Sequence, residues 1–432
     1  MLNDVDNALL TQTGPGTPMG NLLRQYWIPV LLDEELPYPG CPPVRLKILG
    51  ESLIALRTVD GQYSLLQEFC AHRGASLYFG RNEGKDSPDG QCGLRCVYHG
   101  WKYAADGRCV DMPNEPSVSK FKQHINLTAY PARVRGGVLW AYMGAEGSAP
   151  GLPELEWAMV PGDQRFASKR RQFANFMQAM EGGIDSSHVS FLHSDLYLWN
   201  PTWQEDRAGS AMIEHVYTDA APRFFVEQTD YGMLIGARRE TDDGRYYWRV
   251  TQWLLPWYTM IPRDGNGPIG AHAWVPIDDE TCWAWSVNYH PDRALTKSET
   301  DSYRSGGGIH AKVKPGTFDP EQCADNDYMI DRVLQRTVSF SGIRGIAMQD
   351  VAMQESMGPI VDRTREHLGS SDAAVIAARR RLLAEVKAMG DSGKRPSGLD
   401  PATHHLRSTS ALLPREESWI DATADARMSR QH

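Results

Sequence analysis

The chain has 432 residues, of which 41% are hydrophobic and 23% charged, a composition typical of folded globular proteins and unlike that of disordered or collagen-like chains. Its 45 basic and 54 acidic side chains leave a formal charge of −9, which disfavours non-specific binding to nucleic acid and to anionic membranes. With no apolar run near the N-terminus, no stretch that reaches the roughly 20 apolar residues of a membrane helix, and only seven cysteines, we expect a cytoplasmic enzyme of two or three domains.

Short β-type runs dominate the first third of the chain. They occur at residues 43–49, 52–57, 63–66 and 137–143, and turns rich in Gly and Pro separate them. This pattern predicts a small antiparallel β domain over 26–147, which a Gly- and Pro-rich boundary segment follows.

The remainder of the chain, residues 148–432, mixes strand-like and helical patterns. Strands are predicted at 223–229 and 246–255, and helices at 174–193, 325–338 and 372–389. We expect the last helix to stop at Gly390, whereas the polar tail after Lys394 predicts no particular structure. The fold class is therefore α+β, with a β-rich N-terminal domain and a larger mixed domain on which residues 1–25 could pack.

Two Cys/His pairs are the sharpest local feature. They are Cys70-Ala-His72 and Cys96-Val-Tyr-His99, and the polar segment 82–92 between them has the character of a surface insertion. One Cys and one His on each of two loops suit a Rieske [2Fe–2S] centre, in which two imidazoles on one iron raise the reduction potential. A structural Cys₂His₂ zinc site has the same ligands and remains an alternative.

A second group of candidate ligands lies at residues 185–193. Asp185 and His188 are three residues apart, so on a helix they would share one face. His188 and His193 are five apart, which a regular helix would separate by about 140°, so a helix must end or bulge if both bind one metal. Two histidines and one carboxylate form the facial triad of non-haem Fe(II) oxygenases. The alternative is that these histidines are ordinary surface or core residues.

The chain resembles the oxygenase (alpha) subunits of Rieske non-haem iron ring-hydroxylating oxygenases. The motifs that carry this resemblance are C-x-H-R-G-A-x-L…C-x-Y-H-G-W and the later D-x-x-H-x-x-x-x-H. Phrases such as Gly14-Pro-Gly-Thr-Pro-Met-Gly and Ser356-Met-Gly-Pro-Ile-Val-Asp-Arg resemble the phthalate 4,5-dioxygenase-like branch, and the similarity spans roughly residues 8–390. The resemblance implies a Rieske domain followed by a catalytic domain with a central antiparallel sheet flanked by helices.

The resemblance also implies a role for each candidate residue. Cys70 and Cys96 would bind one iron of a [2Fe–2S] cluster, and His72 and His99 the other. The mononuclear Fe(II) ligands would be His188, His193 and Asp350, with Glu355 as the competitor of Asp350. Asp185 would not be a ligand; it would bridge this site to His99 of a neighbouring chain and conduct electrons and protons.

The implied function is hydroxylation of an aromatic compound by O₂, with electrons that a flavin/iron–sulfur reductase takes from NADH. The oxygenase would be a homotrimer or hexamer. An aromatic carboxylate of the phthalate or benzoate type would need a cation, for which Arg207, Arg238 and Arg249 are candidates, although a surface ion-pair partner is the commoner role for each. The alternatives are an O-demethylating monooxygenase acting on a lignin-derived aromatic methyl ether, and a non-catalytic electron-transfer or zinc-stabilised binding protein.

Overall fold

The computed structural model describes residues 2–196, 214–263 and 265–429. Two short helices, α1 (Asp4–Thr11) and α2 (Pro18–Leu23), begin the chain. Thr17 caps α2 by accepting a hydrogen bond from the Gly20 N–H at 3.1 Å, and Pro18 occupies the first helical position, where its missing N–H costs nothing. Both helices contact the long helix near the C-terminus, α10 (Ala373–Ser392).

Ten strands between residues 27 and 142 form two antiparallel sheets. The six-stranded sheet has the order β1-β10-β9-β4-β3-β2, and the four-stranded sheet the order β5-β6-β7-β8. The strands are β1 (Trp27–Leu32), β2 (Val44–Ile48), β3 (Glu51–Arg57), β4 (Tyr63–Gln67), β5 (Arg81–Glu83), β6 (Gly93–Arg95), β7 (Lys102–Tyr103), β8 (Cys109–Asp111), β9 (Ala129–Arg135) and β10 (Val138–Tyr142). The predicted small antiparallel β region is therefore confirmed.

The segment 82–92 folds back onto the four-stranded sheet. Lys102 is completely buried, and its ammonium donates hydrogen bonds to Ser87 Oγ at 2.8 Å, Asp89 Oδ1 at 2.9 Å and the Gln91 carbonyl at 2.5 Å. Arg95 adds ion pairs to the same acidic loop. The segment is thus fixed by buried charges, which its polar sequence did not indicate.

The second part of the chain is built on one large antiparallel sheet. Its order is β11-β17-β16-β15-β14-β13-β12, and β18 also pairs with β14. The strands are β11 (Arg165–Gln172), β12 (Arg223–Gln228), β13 (Gly232–Glu240), β14 (Tyr246–Leu254), β15 (Tyr258–Ile261), β16 (Ile269–Pro276), β17 (Cys282–Tyr289) and β18 (Thr409–Leu413). The polar tail therefore supplies a strand that the sequence did not predict.

Helices cover this sheet, which confirms the predicted α+β class. They are α3 (Glu156–Met159), α4 (Phe176–Ile184), α5 (Val189–Leu192), α6 (Glu214–Thr218), α7 (Lys297–Arg304), α8 (Arg332–Thr337), α9 (Ile346–Ser356), α10 and α11 (Trp419–Ala422). The predicted stop of α10 at Gly390 is wrong: the helix continues to Gly393, which has the left-handed φ of +65° that favours glycine.

One hydrophobic core extends from Leu10 in α1 through the first sheet to the large sheet and α10. Trp253 and Trp257 are completely buried in it, so these aromatic residues are core residues. Trp248 lies on the other face of the large sheet, where it stacks on Trp419 of the C-terminal tail. Across the described ranges, no helix is long and apolar enough to span a bilayer.

Candidate metal centres

The two Cys/His loops are built on the same local plan. Each cysteine carbonyl accepts a hydrogen bond from the N–H of a glycine four residues later: Gly74 bonds to Cys70 at 2.9 Å and Gly100 to Cys96 at 3.0 Å. Both glycines have positive φ, +73° and +79°, a conformation that residues with a Cβ rarely adopt. The first loop follows β4 and the second lies between β6 and β7, so the neighbouring sheets bring the two turns together.

The four predicted cluster ligands converge at these turns. Cys70 and Cys96 are each 3% exposed, and the His72 and His99 rings meet at a centroid distance of 4.5 Å and an angle of 76°. The Nδ1 atom of His72 is buried without a hydrogen-bond partner among the described residues. A buried imidazole nitrogen without a partner is costly unless a group not present in the protein chain occupies it. The two thiols, this His72 imidazole and the adjacent His99 imidazole therefore fit a Rieske cluster.

Neighbouring groups set the chemistry of these sulfur atoms. Burial raises the pKa of the Cys96 thiol, and the adjacent Cys70 raises it further, while the backbone N–H groups of Tyr98 and His99 oppose the shift. Tyr103, completely buried in β7, places its hydroxyl 3.1 Å from Cys70 Sγ. Burial and this contact raise the pKa of Tyr103, so its hydroxyl keeps its proton and can donate to a thiolate.

Three further ligands meet at a single point in the second part of the chain. His188 Nε2 lies 3.2 Å from His193 Nε2 and 3.5 Å from Asp350 Oδ1, and His193 Nε2 lies 3.2 Å from the same oxygen. Ligand atoms about 2.1 Å from one ion and at right angles to each other are about 3.0 Å apart. The three atoms are thus close to the spacing of a facial triad around one metal ion.

A break in the helical segment positions the two histidines. α4 ends at Ile184, and Asp185 has extended backbone torsions (φ −80°, ψ 122°). Asp185 accepts hydrogen bonds from the N–H groups of Ser187 at 2.7 Å and His188 at 3.1 Å. The prediction that Asp185 and His188 share a helix face is therefore wrong, because a turn and not a helix brings them together. His188 and His193 flank the single turn of α5, which ends at the second histidine.

Each histidine of the triad is held through its other ring nitrogen. His188 Nδ1 contacts Asp185 Oδ2 at 3.1 Å, and His193 Nδ1 contacts Gln349 Oε1 at 2.6 Å. The Gln349 amide is itself oriented, since its Nε2 donates to the Ile343 carbonyl at 2.8 Å. Such partners fix the tautomer that leaves Nε2 free to bind a metal. The sequence analysis missed Gln349, whose only sequence feature is its position next to Asp350.

The electrostatics of the site favour charged carboxylates. Burial raises the pKa of Asp350, but the His193 hydrogen bond and the charges of His193 and His188 lower it overall. Burial also raises the pKa of Asp185, but the hydrogen bond with His188 and the charge of His188 lower this pKa overall. Burial lowers the pKa of His188, yet the Asp185 hydrogen bond and the two carboxylates raise it overall, with the Arg249 guanidinium acting against them.

Glu355, the competing third ligand, is engaged elsewhere. Its carboxylate accepts hydrogen bonds from the Phe173 N–H at 2.9 Å and from the Tyr328 hydroxyl at 2.6 Å. Asp350, one and a half turns earlier on α9, is the carboxylate that lies beside the two histidines.

The three candidate substrate arginines have different surroundings. Arg249 on β14 is 8% exposed, and its Nε is buried without a hydrogen-bond partner among the described residues. Arg238 on β13 points to the opposite face of the sheet, where its guanidinium lies 4.0 Å from the centroid of the Tyr246 ring. Arg207 lies outside the described residues. Of the two arginines that the structure describes, Arg249 is thus the one whose charge acts on the triad, where it lowers the pKa of His188.

A cavity of about 800 Å³ reaches this centre from the outer side of α4 and α9. Asp185, His188 and Asp350 form part of its lining, and the rest of its wall is largely apolar. Its apolar residues include Phe191, Leu192, Phe340, Ile343, Met353 and Met357. The Asp185 carboxylate is accessible there, with 25% of its side chain exposed.

Comparison with known proteins gives matches over nearly the whole chain. A family model of the Rieske [2Fe–2S] domain matches residues 26–122, and one described as "LigXa C-terminal domain like" matches residues 141–432. The oxygenase subunit of 3-chlorobenzoate-3,4-dioxygenase from Comamonas testosteroni is 36% identical, with 96% of each chain covered. The oxygenase subunit of phthalate 4,5-dioxygenase from Pseudomonas putida is 34% identical over 98% of this chain and 95% of that one.

A solved structure shares the fold. The NdmA QL mutant of Pseudomonas putida CBB5, determined with caffeine, superimposes with a TM-score of 0.58 over 92% of this chain and 98% of that chain. The two sequences are 17% identical, so this likeness bears on the fold alone.

Proposed function

Because the chain belongs to the family of Rieske non-haem iron oxygenase subunits, we propose that it hydroxylates an aromatic carboxylate with O₂ and electrons derived from NADH. A flavin/iron–sulfur reductase would deliver these electrons, and the use of NADH favours a cytoplasmic location. The two relatives named above are, by their names, dioxygenase subunits for chlorobenzoate and phthalate.

Arg249 is the observation that supports a carboxylate substrate. Its guanidinium is buried, its charge lowers the pKa of His188, and its Nε has no hydrogen-bond partner among the described residues. A buried cation of this kind is stabilised by an anion that enters the site, and the planar guanidinium matches a carboxylate. We infer that Arg249 binds the substrate carboxylate and so directs the aromatic ring towards the triad.

The proposed cofactors follow from the ligand sets. Cys70, His72, Cys96 and His99 would hold the [2Fe–2S] cluster, and His188, His193 and Asp350 the mononuclear iron. When bound, these groups supply single electrons and the activation of O₂.

The remaining work belongs to side chains that surround the triad. Asp185 holds the Nδ1 side of His188 and Gln349 that of His193, so both imidazoles keep their Nε2 atoms directed to the same point. The apolar wall formed by Phe191, Phe340 and their neighbours limits the access of water to this point.

We also propose that Asp185 meets His99 of a neighbouring copy in a trimer or hexamer. Asp185 lines the open apolar cavity, whereas Val97 and Tyr98, beside His99, are 58% and 57% exposed. We call the exposed residues Val97 and Tyr98, together with His99, the tip. This apolar tip and the apolar cavity that contains Asp185 are complementary surfaces. In a ring of copies, every tip would enter the cavity of the next chain.

Mixing two inactive variants tests this assembly. Cys96→Ala should lose the cluster, and Asp350→Ala should lose the mononuclear iron while it keeps the cluster spectrum. If electrons pass between chains, co-expression of the two variants restores part of the activity, whereas each variant alone stays inactive. Activity absent from a verified mixed oligomer would show that both centres must lie in one chain.

Substrate panels with paired arginine variants test the function itself. With a surrogate reductase, benzoate- and phthalate-type acids should stimulate O₂ and NADH consumption. Arg249→Gln should raise the KM for these acids by about 10–100-fold, because a charge-assisted hydrogen bond contributes about 1.5–3 kcal/mol. Arg238→Gln, on the neighbouring strand but the opposite face, is the matched control and should leave KM unchanged.

Two outcomes would favour the alternatives. Neutral aromatic methyl ethers that are demethylated equally well by the wild type and Arg249→Gln would indicate an O-demethylase. Metal analysis separates the other class: about three irons per chain support an oxygenase, two support an electron carrier, and zinc supports a binding protein.

A further inference from the structure

An exposed segment close to His72 is basic, although the chain as a whole carries a net negative charge. Residues 116–124, which end in the short 3-10 helix Phe121–His124, contain two lysines and one histidine but no acidic residue. Val118 is 88% exposed and Phe121 is 47% exposed. Apolar side chains that remain exposed within a charged rim are typical of a surface that binds another protein.

Three stacked or edge-to-face rings join this segment to the cluster ligands. The Trp101 indole stacks on the His72 imidazole at a centroid distance of 4.5 Å and an angle of 14°. The Phe121 ring meets the same indole edge-to-face at 6.0 Å. Trp101 is only 3% exposed, and its Nε1 donates to Asn114 Oδ1 at 2.9 Å, which fixes the indole between the other two rings.

His99, the second histidine of this centre, faces a different surface. Its ring contacts Tyr98 at a centroid distance of 3.9 Å, and this exposed tip is the part assigned above to the neighbouring copy. His72 stacks on Trp101, which meets Phe121, whereas His99 contacts Tyr98, so the two imidazoles have different aromatic neighbours towards the surface. A contact on the His99 side therefore leaves the side of His72 and Phe121 available to another protein.

We propose that residues 116–124 are the docking surface for the iron–sulfur domain of the reductase, and that Phe121, Trp101 and His72 line the route of the incoming electron. An all-thiolate [2Fe–2S] cluster carries a net negative charge, which Lys120 and Lys122 complement. At each encounter the partner's reduced cluster is oxidised by one electron and the Rieske centre is reduced by one, and no bond forms or breaks. The inference rests on the proposed function, since it requires an oxygenase that a reductase supplies.

Lys120 and Val118 are the most informative positions for variants. Both side chains are exposed, whereas Lys122 donates to the Val110 carbonyl at 3.0 Å and its replacement would also disturb the local fold. Lys394→Glu, the same charge reversal at an exposed lysine in the tail, serves as the matched control. Far-ultraviolet circular dichroism and the Rieske absorption spectrum establish that each variant is folded and loaded.

Stopped-flow reduction by a flavin/iron–sulfur reductase measures the effect. Lys120→Glu and Val118→Asp should each lower the second-order rate constant by about tenfold at low ionic strength, as expected when a steering charge or a central contact is lost. The effect of Lys120→Glu should shrink in high salt because exposed charges are screened. Direct binding of the reductase to the immobilised oxygenase should weaken in parallel, and Lys394→Glu should behave as wild type.

Chemical reduction distinguishes this surface from a contact between copies. After reduction with dithionite, both variants should complete a single turnover with O₂ and substrate at the wild-type rate. Wild-type rates of reductase-driven reduction in both variants would overturn the proposal, as would a loss of single turnover after dithionite. If the wild type itself fails in the dithionite experiment, the proposed function fails, while the reductase-binding measurement still decides the docking surface.

Discussion

Tyr103→Phe should lower the reduction potential of the Rieske centre. The Tyr103 hydroxyl lies 3.1 Å from Cys70 Sγ in a completely buried position, and once Cys70 is a cluster thiolate the hydroxyl is the donor to a sulfur atom that would become more negative on reduction. Removal of this donor therefore destabilises the reduced state more than the oxidised state. A net hydrogen bond of about 0.5–1.5 kcal/mol corresponds to a decrease of about 20–65 mV, because 59 mV equals a factor of ten for a one-electron couple.

A redox titration followed by circular dichroism or electron paramagnetic resonance measures this shift. Tyr130→Phe is the matched control, since Tyr130 lies in the same part of the chain and donates to Glu51 Oε2 at 2.8 Å instead of to a sulfur atom. It should leave the potential unchanged. A Tyr103→Phe protein with an intact Rieske spectrum and a potential equal to or above that of the wild type would refute the reasoning.

Three further predictions concern the second centre and its supporting helices. Asp185→Asn should retain both metals yet slow single-turnover oxidation of the cluster by about 10–100-fold, the effect typical of losing a ligand's partner; a wild-type rate would exclude the bridging role. Gln349→Leu should weaken Fe(II) binding by a similar factor, whereas Gln354→Leu on the same helix should not. Glu181→Gln should cost about 3–5 kcal/mol in urea unfolding at pH 7, because it leaves the completely buried Arg363 guanidinium without an anionic partner among the described residues, whereas Arg379 keeps its ion pair with Glu366. Burial raises the pKa of Glu181, but the two arginines lower it overall. The ion pairs of Glu181 therefore contribute fully to the free energy of unfolding above the unfolded-state pKa of about 4.3, and this contribution is lost as the pH falls below that value. If the wild type and Glu181→Gln lost the same amount of stability between pH 7 and low pH, this reasoning would be contradicted.

The candidate ligands could be predicted from sequence because each set is marked by short, local spacing. Cys70 and His72 are two residues apart, and Cys96 and His99 are three apart, so the residue types alone indicate a metal-binding loop. Asp350 carries no such mark. It became a candidate through resemblance, and the structure brings it to the histidines through the packing of α9 on α4.

The residues that the sequence analysis missed act over long separations in the chain. Gln349 contacts a histidine 156 positions earlier, and Tyr103 contacts a cysteine 33 positions earlier. Periodicity and spacing describe neighbours within a helix or strand, so neither contact has a sequence pattern. The same limit explains the tail, whose residues 409–413 become a strand because β14 offers backbone groups for pairing there.

The pairing of β18 with β14 affects the order in which the site can be completed. Ser410 lies directly opposite Arg249, so the C-terminal strand covers the edge next to the proposed substrate arginine. During synthesis this edge stays open until residue 413 has left the ribosome, and an open edge strand is a template for aggregation. A chain shortened to residue 394 would expose that edge permanently, and we expect it to lose solubility before it loses its N-terminal cluster.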